Sequence, residues 1–232
     1  MATSKAKIQR DPFLSLTLQQ QCIHLGIALD ELPMRRTDEG WEYGGRVIGK
    51  PEPAAYEYFR DQGFVGNVCE GAAPLMLMKC AALNYLAKVN TFKSRSDARM
   101  RYFDAQCTIL QRFARDIVSE IQSATEADVR NHFAEIRSDP KYGSLYPEMS
   151  VEGLVALWGA IGAGGWARIA EAFIEAPYDF RAGWPDISMV RGDDLKFVEV
   201  KTTDKLHASQ KRTILGLLLP HGVSVSVVKL VA

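Results

Sequence analysis

The sequence predicts an α/β fold in which a mixed β-sheet is flanked by helices, with a large helical region ahead of its C-terminal strands. Two patterns lead to this prediction. Residues 51–175 carry apolar side chains mostly at helical spacing, whereas residues 177–232 suggest two strands, a helix and a third strand. A length of 232 residues, with 47% hydrophobic and 24% charged residues, suits one large domain or two small ones with a buried core.

The predicted helices follow from apolar spacing and from their start and stop signals. Pro51 suits the first turn of a helix, where the missing N–H of proline is not needed, and Gly63 marks the end of that helix. The segment 70–89 is the most apolar one, but a proline and two lysines make it a buried helix rather than a membrane span. Helices are predicted over residues 14–29, 51–62, 70–89, 95–122, 127–136, 151–161 and 166–175.

The C-terminal region changes from helical to strand-forming patterns. A turn signal at Gly192-Asp193-Asp194 separates two short strands, so the second is expected to return beside the first as a hairpin. The last strand alternates with period two, which predicts one buried face. Strands are predicted over residues 187–191, 195–201 and 223–228, with a helix over 207–219 between the last two.

Charge is balanced overall but uneven along the chain. The 28 Lys and Arg residues match 28 Asp and Glu residues, so the formal net charge is zero. Residues 88–115 nevertheless carry seven basic and two acidic side chains, whereas residues 120–175 carry four basic and nine acidic ones. The basic stretch could lie along a phosphate backbone, although a solvated helix face explains it equally well. Neutral composition therefore does not exclude DNA as a partner.

Targeting and cysteine patterns favour the cytoplasm. No apolar run follows the positive charges of residues 1–10, which argues against a secretory signal, and no segment suits a membrane span. The cysteines at positions 22, 69, 80 and 107 show neither CxxC nor zinc-ligand spacing. We therefore expect a cytoplasmic protein with reduced thiols and no membrane partner.

Two carboxylates and a lysine are expected to converge at one edge of the C-terminal hairpin. Asp186 precedes the first strand, while Glu199 and Lys201 share one face of the second strand and Val200 lies on the other. Carboxylates bind Mg²⁺, and such a site can lower the pKa of a water molecule and stabilise charge on a phosphate. A surface hairpin with a cross-strand salt bridge is the alternative. The apolar neighbours of Glu199 instead indicate a buried strand, where charges require a reason.

These residues resemble a known nuclease motif. The segments Gly183-Trp-Pro-Asp-Ile187, Phe197-Val-Glu-Val-Lys201 and Asp204-Lys-Leu206, preceded by Arg181 and followed by Gln210, resemble the virus-type replication-repair nuclease (VRR-NUC) domain. That domain belongs to the PD-(D/E)xK superfamily of metal-dependent nucleases.

The upstream half is similar, more narrowly, to the nuclease domain of Fanconi-associated nuclease. Tyr58-Phe59, Gly63-Phe64, Gly66 and Glu70-Gly71 precede an apolar helix as they do in that family, although Cys69 replaces a glycine of the family pattern. Both resemblances imply the same restriction-endonuclease-like core.

The resemblance implies a domain organisation as well as a fold. Residues 51–232 would form a VRR-NUC-type nuclease domain with a PD-(D/E)xK core, a mixed sheet flanked by helices. Residues 90–175 would be a helical insertion, which minimal VRR-NUC proteins lack. Residues 1–50 would be an N-terminal extension, too short to replace the large DNA-binding and repeat modules of the full repair nuclease.

The resemblance also implies roles for the site residues. Glu70, Asp186 and Glu199 would be catalytic carboxylates that bind Mg²⁺ or Mn²⁺ together with the backbone carbonyl of Val200, and Lys201 would be the catalytic lysine. For Glu70 the alternative is an acidic residue favoured by the dipole at a helix N-terminus.

Basic and polar residues near these motifs are the candidate DNA contacts. Those near the catalytic strand are Arg181, Lys205, Gln210, Lys211 and Arg212, and those in the basic stretch are Lys93, Arg95, Arg99 and Arg101. Thr202-Thr203 stand where the family often has Gly or Ser and Pro, so the contacts of this turn remain open.

The expected function is that of a metal-dependent, structure-selective deoxyribonuclease acting on flapped or branched DNA in repair, recombination or replication. A homodimeric Holliday-junction resolvase is the enzyme alternative. The helical insertion argues against it and favours a monomer, because the insertion could block a dimer face. A DNA-binding or scaffold protein that keeps the nuclease fold without activity is the alternative of another class.

Overall fold

The computed structural model describes residues 11–140 and 146–232. Residues 1–10, on which the expectation of no secretory signal depends, and residues 141–145 of the predicted insertion lie outside this part. None of the helices within the described ranges is long and apolar enough to cross a membrane. All four cysteines fall in these ranges and carry free thiols.

A mixed five-stranded sheet is central to the fold. In the described part of the chain the strands are β1 (Ala28–Pro33), β2 (Arg35–Thr37), β3 (Gly40–Tyr43), β4 (Arg46–Ile48), β5 (Val65–Val68), β6 (Ile187–Arg191), β7 (Asp194–Lys201) and β8 (Val225–Val231). The main sheet has the order β1-β8-β7-β6-β5. Strand β6 runs antiparallel to β5 and β7, whereas β8 runs parallel to β7 and β1. The predicted α/β fold with a mixed sheet is thus confirmed.

The predicted C-terminal hairpin is present, and the last strand begins later than its pattern suggests. Ile187 pairs with Val198 across β6 and β7, with Gly192 in the turn in the left-handed region at φ 57°. Strand β8 starts at Val225 because the N–H of Val223 still donates to the carbonyl of Leu218 and closes the preceding helix.

Residues 11–50 are integrated with the rest of the fold. Strand β1 pairs in parallel with β8 along its whole length and forms one edge of the main sheet. Strands β2, β3 and β4 form a separate antiparallel sheet. The helical pattern predicted over residues 14–29 ends early, because Gly26 adopts φ 68° and closes a shorter helix, α1 (Leu18–Leu25). The predicted domain boundary at residue 50 therefore stays a prediction, with part of the extension in the sheet.

Helices cover both faces of the main sheet. After α1, the described helices are α2 (Pro51–Asp61), α3 (Ala72–Val89), α4 (Arg95–Met100), α5 (Phe103–Ile109), α6 (Ala114–Ser123), α7 (Glu126–Arg137), α8 (Val151–Glu175), α9 (Pro177–Phe180) and α10 (Ala208–Thr213). A wide turn, Ile214–Leu218, and a short 3₁₀ turn continue α10. The single helix predicted over residues 95–122 is α4 to α6 instead, because Arg101 is extended and Leu110 leaves helical geometry. Helix α8 is interrupted at Gly162, where the sequence also predicts a break.

Two hydrophobic cores lie on opposite faces of the sheet. The larger core contains helical residues such as Trp166 and Phe173 together with Phe197 of β7. The smaller core contains Val198 and Val200 of β7, packed with residues of α2 and of the small sheet. Because successive side chains of a strand alternate, Glu199 and Lys201 lie on the face of the larger, helical core.

Candidate active site

The hairpin of β6 and β7 places Asp186 beside the C-terminal end of β7. Asp186 immediately precedes β6, and one of its carboxylate oxygens, Oδ2, accepts a hydrogen bond of 2.8 Å from the N–H of Val200. The carbonyl of Asp186 accepts from the N–H groups of Cys69 and Glu70 at 3.1 and 3.2 Å. Asp186 therefore connects the strand that carries Glu199 to the segment that carries Glu70.

The Gly-Trp-Pro-Asp segment has a packing reason for its composition. Gly183 adopts φ 85°, and a Cβ there would lie 2.3 Å from the carbonyl of Ser209. The indole of Trp184 is buried and donates to the carbonyl of Phe180. A Cβ on Gly71 would lie 2.5 Å from that indole, so the glycine after Glu70 lets α3 begin against Trp184. These two glycines bring Asp186 and Glu70 to the same end of the sheet.

Glu199 and Lys201 form a buried ion pair on β7. Only 1% of Glu199 and 4% of Lys201 is exposed. The Nζ of Lys201 lies 2.9 Å from Oε1 of Glu199 and 3.0 Å from Oδ2 of Asp204. The side-chain amide of Gln210 donates to the same Oε1 of Glu199. The other oxygen, Oε2, is buried and has no hydrogen-bond partner among the described residues.

Burial dominates the protonation of the two carboxylates. It raises the pKa of Asp186 to about 6 against the hydrogen bond from Val200, and the charges of Glu52 and Glu70 add to this increase. Burial, with the charge of Asp186, raises the pKa of Glu199 to about 8. A buried negative charge lacks solvation, so both carboxylates hold their protons more tightly than usual in the absence of a cation.

Lys201 keeps its positive charge in spite of burial. Burial lowers its pKa, but the charge of Glu199 and hydrogen bonds to Glu199 and Asp204 outweigh this effect and raise the pKa above the usual value. The same contact with Lys201 outweighs burial for Asp204, whose pKa is lowered. The site thus holds an ammonium group between one buried and one exposed carboxylate.

Glu70 lies beside this group in an unusual backbone conformation. It adopts φ 46° between β5 and α3, a region that residues other than glycine rarely occupy. Its side chain is exposed, and its charge contributes to the raised pKa of Asp186. Strain at a non-glycine residue is a frequent property of functional sites.

The candidate metal ligands meet only part of what a metal site requires. Within the described ranges, no group of three or more His, Cys, Asp and Glu side chains is arranged to hold a metal ion. Asp186 and Glu199 nevertheless provide one partly buried and one buried carboxylate, and Oε2 of Glu199 lacks the partner that a buried charged oxygen needs among the described residues. The donor chemistry therefore fits Mg²⁺ or Mn²⁺, with Glu70 close enough to influence Asp186. The metal role of the Val200 carbonyl stays a prediction.

The candidate DNA contacts near β7 already have partners within the protein. Arg181 lies 5.1 Å from the ring of Tyr178, and Lys205 donates to the carbonyl of Leu16 at 2.7 Å. Lys211 pairs with Asp11 at 2.8 Å, and Arg212 lies 3.6 Å from a carboxylate oxygen of Asp179. The side chain of Gln210 donates to Glu199 instead. Their roles toward DNA stay predictions.

The candidate DNA contacts in the basic stretch are also largely compensated. Arg95 pairs with Glu135 at 2.6 Å, and Arg99 lies 3.9 Å from the same carboxylate. Arg101 pairs with Asp97 at 2.8 Å. Lys93 is exposed, in a left-handed backbone conformation with φ 47°. Whether these four residues contact DNA is likewise a prediction that the geometry leaves open.

Two carboxylates of the site were missed by sequence reasoning. Glu52, in the first turn of α2, is the charged neighbour with the largest effect on the pKa of Asp186. Asp204 belongs to the motif that carries the family resemblance, but its partner Lys201 became visible only in the fold. Glu52 offered one signal, an acidic residue beside the proline that begins the helix ahead of β5.

Comparison with solved structures shows which known fold the chain shares. No protein-family model matches the chain, and no curated protein matches it. Two crystal structures of paFAN1 do match, one bound to 2-nucleotide and one to 1-nucleotide 5′-flap DNA with a gap. They are 18% and 16% identical to this chain, with TM-scores of 0.56 and 0.55. Each match covers 91% of this chain but 41% of paFAN1, so the chain spans about two-fifths of that protein. The chain thus has a FAN1-like nuclease fold, which confirms the resemblance predicted from its motifs.

Proposed function

We propose that this chain is a metal-dependent nuclease that hydrolyses phosphodiester bonds in flapped or branched DNA. The observation that carries the proposal is the cluster of Asp186, Glu199 and Lys201, in which Glu199 and Lys201 are buried and one oxygen of Glu199 has no partner among the described residues. The fold shared with paFAN1, which was crystallised on 5′-flap DNA, supports the choice of DNA and of flaps as the substrate.

In this proposal Asp186 and Glu199 hold one or two Mg²⁺ or Mn²⁺ ions, assisted by Glu70 and by the carbonyl of Val200. When bound, such an ion polarises the scissile phosphate and lowers the pKa of an attacking water. The negative charges of the two carboxylates repel each other, and a divalent cation would neutralise both of them. Gln210 and Lys201 both bind Oε1 of Glu199, which leaves Oε2 as the donor toward the ion.

Lys201 is the proposed catalytic group. Its ammonium contacts Glu199 and Asp204 at the C-terminal end of β7. Because its pKa is raised, it carries a positive charge at neutral pH. A fixed positive charge at this position can stabilise the negative charge that builds up on the phosphate during in-line attack. Because the ammonium is fixed before substrate binds, little reorganisation is needed when that charge develops.

Cleavage of labelled DNA tests this function. We expect cutting of a 5′-flap in Mg²⁺ or Mn²⁺, no cutting in EDTA, and loss of cutting in Asp186→Asn with the flap still bound. Preferred cutting of a four-way junction by a stable dimer would favour a resolvase, so solution mass is measured in parallel. Tight DNA binding without cutting in either metal would favour a non-catalytic DNA-binding protein.

A further inference from the structure

We propose that Gln21 is a positioning residue for this active site. It holds the loop of residues 202–207, together with the start of α10, against the N-terminal segment, and these two elements carry the partners of Lys201 and Glu199. The proposal rests on the function proposed above and goes beyond it, because it gives residues 11–25 a part in arranging the catalytic groups.

Gln21 is an unusual residue for the place it occupies. It lies on α1 and is completely buried, with a polar side chain that must be satisfied by hydrogen bonds. Its amide oxygen accepts from the N–H of Leu206 at 2.8 Å, and its amide nitrogen donates to the carbonyl of Leu206 at 3.1 Å. The same nitrogen donates to the carbonyl of Phe13 at 3.2 Å. One side chain thus pairs with both backbone groups of Leu206, as a neighbouring strand would.

The segment that Gln21 contacts carries partners of Lys201 and Glu199 on either side of Leu206. Two residues before Leu206, Asp204 pairs with Lys201 at 3.0 Å. Four residues after it, the side chain of Gln210 donates to Glu199. Leu206 itself is buried, with 2% of its surface exposed. A shift of Leu206 would therefore move Asp204 and Gln210 relative to the two groups that they hold.

Further contacts fasten the same two segments together. Lys205 donates to the carbonyl of Leu16 at 2.7 Å, and Lys211 pairs with Asp11 at 2.8 Å while its ammonium lies 5.0 Å from the ring of Phe13. These lysines are more exposed than Gln21, so their individual contributions are small. Gln21 is the buried member of the set, and its loss would leave the N–H and carbonyl of Leu206 without their side-chain partner.

Gln21→Met tests the proposal, because methionine has a similar size but cannot form these hydrogen bonds. Hydrogen exchange of residues 202–207 is measured in the metal-free protein, and Mn²⁺ binding by titration calorimetry. We expect faster exchange in this loop and an apparent Mn²⁺ affinity weaker by about 10-fold or more, in the range that loss of an outer-shell partner causes. Flap cleavage should need correspondingly more metal.

Two controls separate positioning from stability. Gln19→Met changes an exposed glutamine on the same helix and should alter neither exchange nor metal affinity. Cys22→Ala removes a buried thiol beside Gln21 and should lower thermal stability while leaving Mn²⁺ affinity unchanged. Unchanged exchange and Mn²⁺ affinity in Gln21→Met, or the same metal defect in Cys22→Ala, would overturn the proposal. If Gln21→Met does not fold, Gln21→Leu, which likewise lacks the amide, takes its place with the same criteria.

The exchange and calorimetry measurements also separate this proposal from the proposed function. Neither measurement requires DNA. A wild-type protein that binds Mn²⁺ but cuts no DNA would contradict the nuclease function and leave the role of Gln21 to be decided by exchange and metal affinity alone.

Discussion

The cluster of Asp186, Glu199 and Lys201 and the basic stretch of residues 88–115 both contain several charged side chains, but these charges are compensated to different extents. In the cluster, Glu199 is buried, its pKa is raised to about 8, and one of its oxygens has no partner among the described residues. In the basic stretch, Arg95 and Arg101 are partly exposed and paired with carboxylates within the protein. Incomplete compensation of buried charge marks the first region as the one suited to chemistry.

The difference shows what a count of charges in a sequence can and cannot indicate. Seven basic residues in the 88–115 stretch suggest a phosphate-binding surface, yet Glu135 from α7 neutralises part of that excess through Arg95 and Arg99. Glu199 and Lys201, in contrast, cancel each other in the net charge, but they are buried where water cannot solvate them. Variants at the two regions should therefore differ in their effects.

The largest effect is expected from removing the buried ammonium. Lys201→Met should reduce the rate of flap cleavage by about 10²- to 10³-fold, because a fixed charge that stabilises the transition state is lost. DNA affinity should change little. Lys196→Met is the matched control, since Lys196 lies on the same strand but on its opposite face. Equal cleavage by wild type and Lys201→Met in single-turnover assays would contradict the catalytic role proposed for Lys201.

The second experiment measures the charge imbalance directly through pH. The pKa values of Asp186 and Glu199 are raised in the folded protein, to about 6 and about 8, so the native state binds protons more tightly than the unfolded chain. The contribution of these two carboxylates to the stability of the metal-free protein should therefore be fully present below about pH 4 and decline as pH rises toward 8. Glu199→Gln should make this decline shallower, as measured by urea unfolding between pH 5 and 8.5 in EDTA.

Metal addition supplies the control for that pH dependence. At pH 8, Mn²⁺ should restore stability to the wild type by binding the native state, and it should have much less effect on Glu199→Gln. Stability that rises between pH 5 and 8 in EDTA, or that responds to Mn²⁺ equally in both proteins, would show that Glu199 is not the uncompensated group.

The contrast also explains which parts of the molecule could be predicted from the sequence. The hairpin and the shared face of Glu199 and Lys201 were predictable, because turn residues and period-two alternation are local signals. The contact between Gln21 and Leu206 joins residues 185 positions apart, and no local pattern indicates it. The pairing of Arg95 with Glu135 across 40 positions is equally invisible, so the basic stretch looked less compensated than it is.

Gln210 illustrates the same limit within a motif that was recognised. The motif identified the residue, but placement beside a basic cluster suggested DNA contact, whereas its side chain donates to Glu199 from the first turns of α10. The position of α10 beside the C-terminal end of β7 determines which group the side-chain amide of Gln210 reaches. The burial of Lys201 also depends on tertiary packing, because helices cover that face of the sheet and leave only 4% of the residue exposed.

A third experiment tests whether Gln210 orients Glu199 rather than contacting DNA. Gln210→Ala should weaken Mn²⁺ binding by about 10-fold, because Glu199 loses a donor that fixes the orientation of its carboxylate. Titration calorimetry measures this, and DNA affinity measured in EDTA should be almost unchanged. The neighbouring Ser209→Ala is the control. A loss of DNA affinity with normal Mn²⁺ binding would instead support the predicted DNA contact.

The smallest effects are expected in the basic stretch, where Arg95 and Lys93 can be compared. Arg95 is tied to Glu135 and to Asn84, so Arg95→Ala should cost about 1 kcal/mol of stability and leave the salt dependence of DNA binding unchanged. Lys93 is exposed with φ 47°, so Lys93→Gly should raise stability by about 0.5–1 kcal/mol through relief of backbone strain.

Salt titrations of flap binding decide between the two interpretations of this stretch. If DNA lies across it, Lys93→Gly should reduce the slope of log affinity against log salt by about 0.9, the value for one phosphate contact. Arg95→Ala should then match wild type, because its charge is already neutralised by Glu135. A reduced slope in Arg95→Ala without a loss of stability would show that Arg95 leaves Glu135 to bind phosphate. In that case the basic stretch, although compensated in the free protein, would form part of the DNA surface.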